Sequence, residues 1–292
     1  MAADQKPGSG SLPAGVEFVP LDVRKPWAAQ LPELKPDWIF NFAAVHREPG
    51  HPRLAYFETN LPGARHAVEY AESVGCSRML FTSSIASYGP TSGPTTESSP
   101  TTPTTAYGIS KLTAEWMQRT WQAADPSRRL VLCRPGVIYG PGDPGNILRM
   151  IRAVKRGYFV FPGSRDLRKS YGYIEGLLDS FEFTMGRSEP VLVYNYVERE
   201  TLPLGELVEV VKRHLGKSAP TLAIPLPLLT VAAGVVQVLT AGQSAIHPAR
   251  VRKVATSTHI VPQFLTDAGF EFRYDFEASL KHWASVSPED FG

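Results

Sequence analysis

Cysteine is scarce in this chain of 292 residues: Cys76 and Cys133 are the only two. Both lie in or beside apolar segments, so no disulfide framework is expected and a reducing cytoplasm is the expected compartment. No Cys/His cluster has metal-ligand spacing, so no metal site is expected. An excess of one charge is lacking too, with 30 basic residues against 28 acidic ones. That balance gives no argument for nucleic acid or for an anionic membrane surface. Residues 1–14 carry no apolar h-region, so no secretory signal is read there. One uncharged run, Leu222 to Ala241, has transmembrane length, but Pro225 and Pro227 break its start. About 13 residues of helix then remain, too few to span a bilayer. The run reads as a buried or partner-facing helix, and membrane attachment is not expected. No internal repeat is present.

What is there suffices for a real core, since 43% of the residues are hydrophobic. Residues 1–14 are polar and rich in Gly and Pro and read as a disordered tail. Val16 to Val19 alternates weakly, as a short strand does. Asp37 to Ala44 is a near-continuous apolar run, the pattern of a parallel strand buried on both faces. Leu54 to Val74 has helical periodicity despite Pro62, and Arg78 to Ser84 reads as the next strand. Strand, helix, strand is a βαβ unit and predicts a parallel sheet. A Pro/Thr/Ser/Gly-rich loop at 89–105 leads to a helix from Tyr107 to Ala124. The apolar strand from Leu130 breaks at Arg134-Pro135-Gly136. Val191 to Tyr196 reads as a last strand and Leu204 to Leu215 as an amphipathic helix.

The chemistry gathers at two places. Tyr107 and Lys111 stand four apart on one helix and so share a face. A buried ammonium beside a phenol favours the phenolate, which makes Tyr107 a candidate acid/base toward an alcohol oxygen. Ser84 ends the strand that precedes this helix, where its hydroxyl could hold the same oxygen. Tyr-x-x-x-Lys alone arises by chance on surface helices.

The run Phe81-Thr82-Ser83-Ser84-Ile85-Ala86-Ser87-Tyr88-Gly89, the Tyr107–Lys111 pair and Arg134-Pro135-Gly136-Val137-Ile138-Tyr139-Gly140-Pro141-Gly142 are more specific together. They resemble the extended short-chain dehydrogenase/reductases, and among them the NAD-dependent epimerase/dehydratases of nucleotide sugars. The resemblance runs from about Val16 to Trp283. It implies an α/β fold: a Rossmann-like, doubly wound parallel sheet with a smaller C-terminal substrate lobe. It also implies NAD or NADP as cofactor, a nucleotide-sugar substrate and a homodimer formed through the helices at 54–74 and 107–124. By the same resemblance Ser84, Tyr107 and Lys111 are catalytic. Asp22 and Val23 would touch the adenine, and Ala43 and Ala44 would let the cofactor pass over the strand end. Asn60 would buttress the site, and Pro135 and Val137 would border the nicotinamide. Asn146, Lys169 and Arg250 would meet the substrate diphosphate, with Ser84 on the sugar. His46 reads as a loop residue and Glu97 as a solvated loop acid with a possible substrate role. Where a 4,6-dehydratase has Asp-Glu beside its catalytic Ser, Ile85-Ala86 stands here, which favours epimerase or reductase.

One element of the resemblance has no counterpart. The family's first strand, its Gly-x-x-Gly-x-x-Gly turn and the helix that together hold the cofactor pyrophosphate are not found. Gly8, Gly10 and Gly15 follow no strand and open no helix. The sheet is therefore expected to lack its first βαβ, leaving strand edges exposed. The domains read as a tail at 1–14, an incomplete NAD(P)-binding domain at 15–145, and a substrate lobe at 146–292 with the last sheet strand interleaved. Three readings stay open: a start placed downstream of the true one, an inactive truncated homologue, or a cofactor-free binding or regulatory protein of the same fold.

Overall fold

A computed structural model describes residues 1–7, 12–32, 34–46, 50–91, 93–239 and 256–292. Two compact units divide the chain. The first holds residues 1–90, 99–134 and 184–194, and the second holds 91–98, 135–183 and 195–292.

In the first unit, β3 (Ile39–Asn41), β4 (Arg78–Thr82), β5 (Arg129–Pro135) and β9 (Val191–Tyr196) form one sheet in the order β3-β4-β5-β9. β3 with β4 and β4 with β5 run parallel. Between β3 and β4 lies α1 (Arg53–Ser73), and between β4 and β5 lies α2 (Ala106–Ala123). The expected βαβ unit and the helix carrying Tyr107 and Lys111 are thus present. α1 and α2 pack on each other, and Ala64, Ala67 and Ala71 of α1 share a core with Met79, Phe81, Ala114, Leu130 and Leu132. Small residues on α1 allow the close approach that buries these larger ones.

Three sequence expectations are corrected here. Residues 2–4 do not belong to a tail: they form β1 (Ala2–Asp4), which pairs parallel with β2 (Phe18–Pro20). Main-chain bonds from Ala2 N to the Glu17 carbonyl and from Leu21 N to the Asp4 carbonyl, each 2.8 Å, hold that pair. The strand expected over Asp37–Ala44 is only three residues long, and it is not buried on both faces. Ile39 and Asn41 are buried, whereas Phe40 and Phe42, on the opposite face, are exposed, because only one face of β3 is covered. Glu97 is not solvated: its Oε1 accepts the Asn195 N–H at 2.8 Å, and burial pushes its carboxyl up from the ordinary value.

In the second unit, β6 (Val137–Tyr139) pairs parallel with β8 (Tyr171–Tyr173), and β7 (Phe161–Pro162) with β10 (Ala223–Ile224). α3 (Asn146–Lys155), α5 (Leu204–Leu215) and α8 (Phe276–Val286) close over a core of Tyr139, Ile151, Phe161, Tyr173, Val208 and Trp283. α4 (Ile174–Met185), α6 (Leu226–Leu239) and the short α7 (Gln263–Asp267) complete the helices among the described residues. No helix there is long and apolar enough to cross a membrane. Gly136 separates β5 from β6, and only glycine fits: an added Cβ would stand 2.3 Å from the Ser170 carbonyl oxygen.

Candidate active site

β4 delivers the serines. After Thr82 the chain turns through a short 3-10 segment, Ile85–Tyr88, capped by Ser84. Ser84 Oγ accepts the Ala86 N–H at 3.1 Å, which leaves its own proton available to donate. Thr105 caps the facing helix α2 by accepting the Gly108 N–H at 3.1 Å. A Cβ on Gly108 would lie 2.4 Å from the Ala86 carbonyl oxygen. That close approach sets the first turn of α2, and with it Tyr107, against the turn that Ser84 opens.

Tyr107 is half-buried, with its ring centroid 6.1 Å from that of Tyr56 on α1. One turn on, Lys111 is buried, with Nζ 4.3 Å from the centroid of the Phe81 ring. Burial pulls Lys111 down from its ordinary value to about 7, against a smaller opposing pull from Glu115. The sequence reading took the ammonium as given. Burial instead leaves Lys111 divided between charged and neutral forms near neutral pH, and the charged form is the one that supports a Tyr107 phenolate.

Asn60 joins these parts. Its Oδ1 accepts the Val45 N–H at 2.8 Å, and its Nδ2 donates to the Val45 carbonyl and, at 2.9 Å, to Ser110 Oγ. Ser110 Oγ in turn donates to the Tyr107 carbonyl at 2.8 Å. Local sequence did not reveal the partners of Lys111's helix. Arg134 of β5 makes a forked pair with Glu115, 2.9 and 2.7 Å, and both are buried. The Arg134 guanidinium also lies 4.9 Å from the centroid of Tyr88. The spacing Tyr107, Lys111, Glu115, four residues each time, was the available signal.

The other expected residues of the first unit stand as follows. Asp22 is half-buried and takes a forked contact from Arg24, 2.9 and 2.8 Å, which holds its carboxyl well below the usual range. Val23 is buried against α1, and its carbonyl meets His66 Nδ1 at 3.0 Å, a contact the sequence did not suggest. Ala43 and His46 are exposed and Ala44 is half-buried. In the second unit Pro135 and Lys169 are half-buried, while Val137 and Asn146 are exposed. Arg250 lies outside the described residues. Both cysteines are free, and burial pushes the Cys133 thiol up to about 12.

A nicotinamide dinucleotide fits part of this donor set. Lys111 offers buried ammonium donors suited to ribose hydroxyls. Asn41, at the end of β3, has a buried Oδ1 without a hydrogen-bond partner, and the small Ala43 and Ala44 follow it. The reading that Gly8 and Gly10 follow no strand is corrected, since β1 precedes them; both lie outside the described residues. Gly140-x-Gly142-x-x-Gly145 does lie between β6 and α3, but there a carboxylate oxygen of Asp143 stands 2.2 Å from where a Gly145 Cβ would be. An acid so placed opposes a second anion at that helix start.

The fold is that of the extended short-chain dehydrogenase/reductases. Residues 2–195 match the NAD dependent epimerase/dehydratase family, and the chain belongs to that family. It is 28% identical over 249 residues to the N-acetyl-alpha-D-glucosaminyl-diphospho-ditrans,octacis-undecaprenol 4-epimerase of Escherichia coli O157:H7, covering 84% of this chain and 75% of that protein. Among solved structures it resembles the Bordetella bronchiseptica enzyme WbmG in complex with NAD and UDP, with a TM-score of 0.72 at 19% identity over 98% of this chain and 86% of the other. The UDP-glucose 4-epimerase of Thermotoga maritima with UDP-glucose gives a TM-score of 0.72 at 16% identity, over 99% and 91%.

Proposed function

We propose that this chain is an NAD(P)-dependent epimerase or reductase acting on a sugar attached to a diphosphate, through Ser84, Tyr107 and Lys111. The observation that carries the reading is the Gly108–Ala86 approach, which sets the Tyr107 turn against the Ser84 turn with Lys111 buried one turn on. Tyr107 Oη takes the proton of the reacting sugar hydroxyl and later returns it. Ser84 Oγ donates to the same oxygen and steadies charge as it develops there. Lys111 donates to ribose hydroxyls and, when charged, favours the Tyr107 phenolate. The bound dinucleotide supplies the hydride chemistry. Asp22, Val23, Ala43, Ala44, Asn60, Pro135 and Val137 are assigned to the cofactor side, and Asn146, Lys169 and Arg250 to the diphosphate.

Ile85-Ala86 after Ser84 favours epimerisation over dehydration, as do the 4-epimerase relatives. The carrier beyond the sugar diphosphate is a nucleoside in the UDP-glucose 4-epimerase and a polyprenol in the Escherichia coli relative. Both present a hexose diphosphate to the reacting groups. A homodimer through α1 and α2 is supported by the exposed Leu54 and Trp116 on those helices. The test is incubation of the protein with NAD and UDP-glucose or UDP-N-acetylglucosamine, with the sugars resolved by chromatography. Appearance of the C4 epimer is expected. Conversion of neither sugar, with no NAD bound, would favour the binding-protein reading.

A further inference from the structure

α6 was expected to be buried or covered by a partner. Leu228 and Val231, one turn apart on one face, are 62% and 67% exposed in the single chain, which corrects the buried alternative and leaves the partner-facing one standing. Leu222, just before β10, is 71% exposed, and its carbonyl accepts the Phe161 N–H at 2.8 Å. The pairing of β10 with β7 brings in the segment that carries Tyr158, which is 61% exposed. Four large apolar side chains therefore face water on two segments joined by one strand pair, where isolated exposed residues would need no explanation.

The two stretches of chain that carry them are free of acidic residues: residues 146–163 contain none, and neither do residues 215–239. Arg156 lies exposed just before Tyr158 and Lys217 before β10; the neighbouring Lys155 is exposed too, with its Nζ donating to the Phe291 carbonyl at 2.6 Å. Exposed apolar side chains with cations near them in the chain fit an anionic bilayer surface, where aliphatic side chains enter the acyl boundary and lysines and arginines meet the headgroups. The helix has 14 residues, about 21 Å at 1.5 Å each, too short to cross the ~30 Å hydrocarbon layer, so it can only lie along it.

We infer that α6, with Leu222 and Tyr158, is a membrane-surface docking site that brings the enzyme to a polyprenyl-diphosphate-linked sugar. This rests on the diphosphate-sugar reading above and selects the carrier within it. A polyprenyl chain is held in the bilayer with its diphosphate at the surface. An enzyme for such a substrate needs a face that tolerates the interface, and a soluble nucleotide sugar demands none.

The test is co-sedimentation of the full chain with vesicles of phosphatidylglycerol and phosphatidylcholine. The wild type is expected to pellet with the vesicles, less so as salt rises. Leu228→Glu with Val231→Glu is expected to lower the bound fraction by about tenfold or more. Circular dichroism checks the fold of that variant. Leu222→Glu, in the extended segment ahead of the helix, and Arg156→Glu give a second reading and are also expected to weaken binding. Wild-type protein that stays in the supernatant overturns the proposal, as does binding that none of these variants alters. So does a solution dimer that Leu228→Glu with Val231→Glu dissociates while vesicles remain unbound, since a second copy then covers the face. Conversion of soluble UDP-sugars is measured separately. It reads the reacting groups apart from the carrier, and vesicle binding stands or falls by itself.

Discussion

Asn60 Nδ2 donates to Ser110 Oγ, and through that one hydroxyl helix α1 is tied to the carbonyl of Tyr107. The same amide is bonded to both the N–H and the carbonyl of Val45, in the loop that follows Ala43 and Ala44. A single buried side chain thus fixes the strand end and the first turn of α2 together.

Replacing it isolates several polar groups at once. Asn60→Ala is expected to cost about 2–4 kcal/mol, because unpaired buried groups cost about 1–3 kcal/mol each and part of that is recovered by water. Urea denaturation measures it. A loss below about 0.5 kcal/mol, within the range of ordinary surface substitutions, would show that the amide does not hold these elements together.

Arg134 and Glu115 form a buried, forked ion pair between β5 and α2. Removing one partner strands the other charge, so Glu115→Ala is expected to destabilise by about 3–5 kcal/mol. Removing both should hurt less: Glu115→Leu with Arg134→Met is expected to recover much of that loss. A double-mutant cycle from chemical denaturation checks this, and additive losses would count against the coupling.

In the second unit Tyr139 donates to Glu198, and both are buried. Burial pushes the Glu198 carboxyl from an ordinary 4.5 to about 8. The folded state therefore holds a proton that the unfolded chain releases, between pH 4.5 and about 8. Stability from this group is fully present below pH 4.5 and is lost as pH rises toward 8. Glu198→Gln is expected to flatten that decline in thermal unfolding followed from pH 5 to 9. The same slope in variant and wild type would assign the decline to other groups.

The parts of this molecule that follow local rules were legible in the sequence. Tyr107 and Lys111 four apart and Gly136 after Pro135 define their turns by themselves. β1 was not legible, because three polar-flanked residues become a strand only when β2 supplies the facing main chain. Phe40 and Phe42 misled for the opposite reason: an apolar run looks the same whether or not a neighbour covers it. For α6 the apolar run allowed a buried or a partner-facing helix, and only exposure removes the first. The protonation of Lys111 was hidden as well, since four-residue spacing records its helix face and says nothing of how deeply the ammonium is buried.

The central claim is that Tyr107 moves the proton. Its most direct measurement is epimerisation of UDP-glucose by Tyr107→Phe beside the wild type, with NAD binding followed in parallel by calorimetry. Turnover is expected to fall by about 10²–10⁴-fold, with NAD affinity little changed. Turnover equal to the wild type, with the same NAD affinity, would contradict the account.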